Sequence, residues 1–232
     1  MVHTTDDLLC LLDSLFPDPA EWWDTFFTDR GKPVPFFADL PDESLAAYFD
    51  SHRLLPGRVL ELGCGAGRNA LFAASRGCVV DAVDVSPRAI EWATERMTHS
   101  GLRVEFICAS ILDFRPKQGG YDIVYDAGCF HHLPPHRRMA YMDVVRRALR
   151  PSGMFALTCF TSEGGSGLSD REVYERRSLG GGLGFSEEQL RGFFERDFEI
   201  LELRRMRNVL AESGLYGEDF LWAALMRMKP AP

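Results

Sequence analysis

The sequence predicts an α/β fold: a doubly wound, mostly parallel sheet of seven strands with a C-terminal antiparallel hairpin and a helical N-terminal extension. Three observations carry this. Between Arg58 and Phe160, short apolar runs alternate with helix-period segments, which at this spacing means parallel strands joined by right-handed crossovers. Beyond a glycine-rich stretch (161–184) and a short helix near 186–195, two strand-like runs, 198–208 and 218–229, flank a turn-containing segment. In the first 50 residues Pro17, Pro19, Pro33, Pro35 and Pro41 break the chain into short helical pieces, and no alternating pattern occurs.

Taken in order, "RVLELG" (58–63) is the first strand and "GRNALFAASRG" (67–77) a helix ending at Gly77. "CVVDAVD" (78–84) is the second strand. The next helix, 86–101, has Ser86 as N-cap, Pro87 as first helical residue and Gly101 just past its end. "RVEFICA" (103–109) and "YDIVYDAG" (121–128) are the third and fourth strands. A helix beginning in "PPHRR" is closed by Pro151 and Gly153, and "MFALTCF" (154–160) is the fifth strand. A chain of 232 residues accommodates one sizeable domain, so residues 1–50 are expected to pack on a sheet domain spanning 51–232.

Composition narrows the function classes. A net charge of −8 disfavours a phosphate-backbone partner, which needs a basic face. No apolar run reaches the roughly 18 residues of a membrane span. The N-terminus lacks the basic start of a secretory signal. Six singly scattered cysteines without a C-x-x-C pair suit reduced thiols in the cytoplasm.

"LELGCGAGRN" ends the first strand and opens the first helix. Gly63, Gly65 and Gly67 allow a tight turn and close approach of a ligand. The spacing is acid-x-G-x-G-x-G, not the G-x-G-x-x-G of a dinucleotide loop. Glu61 would repel a pyrophosphate but can orient a cationic amino-acid head group. Asp84, ending the second strand, is placed to accept from two ribose hydroxyls. Together these residues describe a pocket for a phosphate-free nucleoside bearing an amino acid.

With those residues in place, the chain resembles the class I, Rossmann-like methyltransferases that use S-adenosylmethionine. "LELGCGAGRNA", "VDAVDVS", "FICASILDF" and "YDIVYDAGCFHHL" match four of their motifs in order, and "LRPSGMFALT" resembles the turn into their fifth strand. The resemblance implies S-adenosylmethionine as cofactor. It places Glu61, Gly63, Cys64, Gly65, Gly67, Asn69, Asp84, Val85, Ser110, Ile111 and Asp126 around it, with 109–113 edging the adenine. Ser110 stands where many relatives carry an acid, so the adenine amino contact passes to Ser110 or to backbone.

"CFHHLPPHRR" leaves the carboxyl end of the fourth strand, where open α/β sheets bind ligands. One of His131 and His132 is expected to point into the pocket as base or acceptor orienter, with His131 the better candidate. No metal is expected: no cysteine pair or second acid completes a ligand set, and sulfonium methyl transfer needs none. His136, Arg137 and Arg138 are expected on a solvated helix start. Cations there are electrostatically awkward, which makes an N-terminal aspartate the alternative partner.

The acceptor side is expected to be aromatic. "EWWDTFFTDRGKPVPFF" (21–37) puts Trp22, Trp23, Phe26 and Phe27 on one helix face, with Phe36 following. Together with "LAAYF", it resembles the N-terminal lid of the thiopurine, plant thiol/halide and tellurite-resistance methyltransferases. Trp22, Trp23, Phe26, Phe36, Phe130 and Tyr174 are the expected acceptor contacts. Such a pocket suits a small molecule, first of all a thiol, whose ionisation near pH ~8.5 needs only modest help. An O- or N-methyltransferase of a small aromatic metabolite is the alternative; a nicotinamide-dinucleotide oxidoreductase or a non-catalytic cofactor-binding domain belongs to another class. A monomer or homodimer, with neither nucleic acid nor membrane as partner, completes the expectation.

Overall fold

The computed structural model describes residues 1–117 and 119–230. Its centre is a seven-stranded sheet of β1 (Arg58–Leu62), β2 (Val79–Asp84), β3 (Glu105–Cys108), β4 (Tyr121–Ala127), β5 (Leu149–Phe160), β6 (Phe198–Arg205) and β7 (Leu221–Met228). The spatial order is β3-β2-β1-β4-β5-β7-β6. The first five strands pair in parallel; β7 lies antiparallel beside β5 and carries β6 on the outer edge, as the expected hairpin requires. Strand order reverses between β1 and β4, which opens a crevice at their carboxyl ends.

The parallel strands are covered on both faces, which is why they read as continuous apolar runs. Leu60, Leu62, Val124 and Leu157 pack with Tyr141 and Val145 of α6 (Arg138–Ala148) and Phe194 of α8 (Glu187–Phe194). Their chain neighbours Val59, Ile123 and Ala156 face the other way, toward Leu71 of α4 (Arg68–Ser75) and Leu45, Tyr48 and Phe49 of α3 (Glu43–Asp50). Helix α5 (Pro87–Ser100) begins and ends on the expected caps: Ser86 accepts from the Ala89 N–H, and Gly101 adopts a left-handed conformation.

The N-terminal pieces are α1 (Thr5–Asp13), α2 (Pro19–Phe26), a 3-10 turn at Pro35–Phe37, and α3. Neither α1 nor α2 contains a fully buried residue, whereas α3 is mostly buried in the sheet core.

A helix end and an additional helix differ from the sequence reading. The helix expected to run to Pro151 stops at Ala148, because Leu149 is already buried and paired with Tyr121; a register shift then absorbs Pro151 and Ser152 before the regular ladder resumes at Met154. Within the glycine-rich stretch lies a helix, α7 (Asp170–Arg176), that was not anticipated. Ser169 and Glu172 form its capping box, a signal present in the sequence.

The N-cap position of α3, Asp42, is wholly buried. Arg68 pairs with it at 2.5 Å, the Tyr125 hydroxyl donates to it, and the Thr158 hydroxyl donates from 3.3 Å. Asp42→Ala strands a buried guanidinium and two hydroxyls. The expected loss of unfolding free energy is about 3–5 kcal/mol in urea denaturation, and a loss below about 1 kcal/mol would remove Asp42 from this role.

Candidate active site

A cavity of about 310 Å³ lies where β1, β2, β4 and β5 end, and residues of α2 and the 3-10 turn line its other side. Of the residues expected at the cofactor, Glu61, Gly63, Cys64, Gly65, Asn69, Asp84, Val85, Ser110 and Ile111 line it, as do both histidines and, from the aromatic set, Trp23 and Phe36.

The glycine loop is held against the end of β2. The Gly63 and Cys64 N–H groups donate to the Val83 carbonyl at 2.8 and 3.0 Å. Gly63 has φ 69°, and a Cβ there would lie 2.7 Å from that of Cys129, so the position excludes any side chain. The Gly65 N–H and Ser86 N–H each donate to one oxygen of Asp84, at 2.8 and 2.9 Å. Burial raises the Asp84 pKa while those N–H groups oppose the shift. The carboxylate is thereby aimed, with acceptor capacity to spare for hydroxyls.

Glu61 and Asn69 have hydrogen-bonding capacity that no described residue uses. Glu61 is 2% exposed and its Oε2 has no hydrogen-bond partner among the described residues. Burial pushes its pKa up to about 8 against the pull of Arg68. Asn69 Oδ1 accepts the Asp42 N–H at 2.9 Å, which fixes the amide's orientation and leaves Nδ2 a buried donor without a partner among the described residues. An orphan acceptor and an orphan donor in one wall suit the ammonium and carboxylate of an amino-acid head group. The site therefore fits S-adenosylmethionine: Glu61 and Asn69 toward the amino acid, Asp84 toward the ribose, and Ser110 and Ile111 toward the base.

Six expected contacts are absent from the wall. Gly67 (φ 79°) is a packing glycine, since a Cβ there would press on Phe106 at 2.8 Å and Ala93 at 3.0 Å. Asp126 lies beneath the floor, its oxygens taken by the N–H groups of Gly128, Cys129 and Phe130 and by the Tyr141 hydroxyl. Burial nevertheless raises its pKa to about 7. Phe130 is fully buried among Tyr141, Phe185 and Phe194. The Tyr174 hydroxyl contacts His136 instead. Trp22 and Phe26 stack on each other along the outer side of α2 and line a separate surface groove.

Residues 130–132 form a 3-10 turn, so both histidines face the cavity, not one in and one out. The expectation of a solvated face at His136 also fails. Its Nε2 lies 2.8 Å from Asp13 Oδ1, its Nδ1 lies 3.0 Å from the Tyr174 hydroxyl, and Arg137 pairs with the same carboxylate. Burial opposes ionisation of Asp13, but its bonds to Arg137 and His136 hold its pKa below the usual value. The awkward cations thus meet the alternative partner, an N-terminal aspartate. Arg138 pairs with Asp170 of α7.

Phe27, expected only on the aromatic helix face, joins the wall; sequence reasoning missed Arg68, Thr158, Phe160, Tyr216 and Phe220, all in the wall. Thr158 and Phe160 end the fifth strand and were findable by the rule that ligands sit at strand ends. Tyr216 and Phe220 come from the connection between β6 and β7 and carry no local signal. Among the described residues, no group of three or more His, Cys, Asp or Glu is placed to hold a metal.

A family model described as "Methyltransferase domain" matches residues 59–153. An uncharacterized methyltransferase of Schizosaccharomyces pombe is 36% identical over 121 residues, covering 52% of this chain and 83% of that protein. The chain belongs to the class I methyltransferases that use S-adenosylmethionine. A 2-heptyl-1-hydroxyquinolin-4(1H)-one methyltransferase of Mycobacteroides abscessus is 32% identical over 105 residues, covering 45% of this chain and 46% of that one. The chain spans 32–59% of the length of four curated relatives, that one included. Among solved structures, one from work on conversion of a disulfide bond into a thioacetal group during echinomycin biosynthesis superposes with TM-score 0.72 at 25% identity, covering 91% of this chain and 93% of the other. TehB from Haemophilus influenzae shares the fold, with TM-score 0.60 at 21% identity over 79% of this chain and 62% of its own.

With an ammonium placed against it, Glu61 should make binding of the head group pH-dependent. Its free-state pKa of about 8 lies above the ordinary 4.5, so at neutral pH the empty site holds a proton that an ammonium must expel. Affinity for S-adenosylhomocysteine is expected to rise by up to about tenfold per pH unit toward that pKa and then level off. Calorimetry in buffers of different ionisation enthalpy measures the released proton. Glu61→Gln should abolish the dependence; an unchanged slope in that variant assigns the proton elsewhere.

Proposed function

We propose that this protein transfers the methyl group of S-adenosylmethionine to the sulfur of a small, apolar thiol. The observation that carries the reading is the aromatic part of the cavity wall, Trp23, Phe36, Phe160 and Phe220, in which Trp23 packs on His132 and Phe160 on His131. An aromatic wall with so few polar groups favours an apolar acceptor with one reacting atom. When bound, S-adenosylmethionine supplies a sulfonium-activated methyl group. The chain has to align the acceptor sulfur with it and exclude water. The sulfur chemistry named for one structural neighbour supports the same choice. The second reading, O- or N-methylation of a small aromatic, is favoured by the hydroxyquinolinone named for one relative.

In this proposal the chain before Pro41, the outer part of residues 1–50, acts as a cover on the methyltransferase domain. Trp23 meets His132 edge-on at 4.8 Å, and Phe27 stacks on Phe37 over the glycine loop. Much of the rim is ionic and partly exposed: Arg88 with Asp24, and Arg30 with Glu95 at 2.5 Å. Such pairs contribute at most about 1 kcal/mol each, which suits an interface that must open. Among the described residues no helix is long and apolar enough to cross a membrane. The cysteines of the described residues are all free, which fits a reducing cytoplasm.

Two measurements test this. With labelled cofactor and a panel of thiols, phenols and amines, thiols should accept methyl fastest, arenethiols ahead of alkanethiols; faster phenols or amines would replace the thiol reading with the second. Amide exchange in residues before Pro41 should slow when S-adenosylhomocysteine binds, and exchange already slow without ligand would make the extension fixed scaffold.

A further inference from the structure

A thiol must lose its proton before it can attack, and two histidines line the cavity. We infer that these histidines form a fixed hydrogen-bond donor and not a base, so the protein selects acceptors that arrive as thiolates. This rests on the thiol reading above.

One amide sets the direction of every bond in the pair. The Phe160 N–H lies 3.1 Å from His131 Nδ1. A backbone amide only donates, so Nδ1 carries the lone pair and the His131 proton is on Nε2. His131 Nε2 lies 3.0 Å from His132 Nε2, which must therefore accept. The proton of His132 is then on Nδ1, for which no partner is found among the described residues. Neither ring takes another proton while the chain is intact. Protonation at His131 Nδ1 evicts the Phe160 N–H, and protonation at His132 Nε2 sets two N–H groups against each other.

Packing holds the pair in this arrangement. The His131 ring stacks on the Phe160 ring with centroids 3.8 Å apart, and its carbonyl accepts the Leu183 N–H at 2.8 Å. His132 is braced by Trp23. The electrostatics agree: burial, with His132 adding to it, lowers the His131 pKa well below the usual value, and burial takes His132 to about 4. The other titratable groups of the wall (Glu61, Cys64, Arg68, Asp84, Cys129 and Tyr216) make no hydrogen bond to either ring. Asp126, beneath the segment, is saturated by its own loop and Tyr141.

The step balances without the histidines moving a proton. The thiol gives its proton to solvent before entry. The thiolate sulfur then forms the new bond to the methyl carbon as the methyl–sulfonium bond breaks, its electron pair returning to the departing sulfur. His132 donates to the thiolate in the ground state; His131 is a positioning residue that fixes which nitrogen of His132 carries the proton.

Nitrogen-15 spectra of the histidine rings, recorded on the full chain with S-adenosylhomocysteine, read the tautomers directly. His131 should be protonated only on Nε2 and His132 only on Nδ1 across the neutral range, with no imidazolium. 4-Nitrothiophenol, whose thiolate is coloured, should then bind as thiolate with its apparent pKa lowered and both rings unchanged. His132→Phe should raise that bound pKa by about one unit or more, and His131→Phe should raise it less. An imidazolium signal appearing when the thiol binds overturns the inference, as does a thiol that stays protonated when bound. Should either variant fail to fold, the wild-type spectra decide alone. Failure of any thiol to accept methyl sinks the functional reading and leaves the tautomer result standing.

Discussion

A carboxylate that no water reaches organises this molecule. Asp42 is wholly buried, and a buried charge is tolerable only when paired and hydrogen-bonded. Its partners come from separate parts of the chain: Arg68 at the start of α4, Tyr125 in β4 and Thr158 in β5. The flanking backbone adds a second tie, since the Tyr216 N–H donates to the Pro41 carbonyl and the Glu43 N–H donates to the Tyr216 carbonyl. Asp42 and its two neighbours thus fix the N-terminal segment, the first crossover helix, two central strands and the connection between the last two strands. The head-group end of the cavity follows from it. The Asp42 N–H turns the Asn69 amide, and the guanidinium drawn to Asp42 is the charge that partly offsets the burial of Glu61.

The proposed acceptor end is governed by a second fixed group, on β5. Thr158 and Phe160 are two residues apart on β5 and so lie on one face of the sheet. The first meets Asp42 and the second, through its N–H and its ring, meets His131. A single strand end therefore connects the network that shapes the cofactor pocket to the one that orients the histidines. A displacement of β5 relative to β4 would disturb both together.

Where the sequence could be read, the governing interactions were local. Ser86, Pro87 and Gly101 bound α5 through contacts within a turn, and the glycine loop follows from backbone conformations that only glycine adopts readily. Asp84 was legible because a βα turn places it. Asp42 was not: an acid between Pro41 and Glu43 looks like surface, and its burial depends on partners 83 and 116 residues away. Asp126 erred in the opposite direction. A strand-end acid facing the crevice looks like a ligand, yet its own loop folds back and fills its oxygens. Trp22 and Phe26 share a helix with Trp23, and periodicity alone could not say which side of a short helix faces the cavity. The histidine segment was correctly placed, but its 3-10 turn defeated the alternation assumed for a continuing strand.

The contrast in how α1, α2 and α3 are held decides where a moving cover can end. Helix α3 is tied by Asp42 and by Glu43, whose carboxylate receives Arg204 at 2.6 Å and the Arg207 N–H at 2.9 Å, and its apolar side belongs to the sheet core. Freeing it would expose charges in the interior, at a cost far above that of a rim ion pair. Helices α1 and α2 have no such anchor. Asp13 reaches His136 and Arg137, and Asp24 reaches Arg88, each from a side chain that is a quarter to nearly half exposed. The proposed cover is therefore the chain before Pro41, not the full 50 residues. Its contacts fall at both ends of one segment: Trp23 against His132, and Asp13 against His136 and Arg137. The stretch that carries the histidine pair is also the ledge on which the cover rests, so closing the cover over an acceptor presses on the ring that faces it.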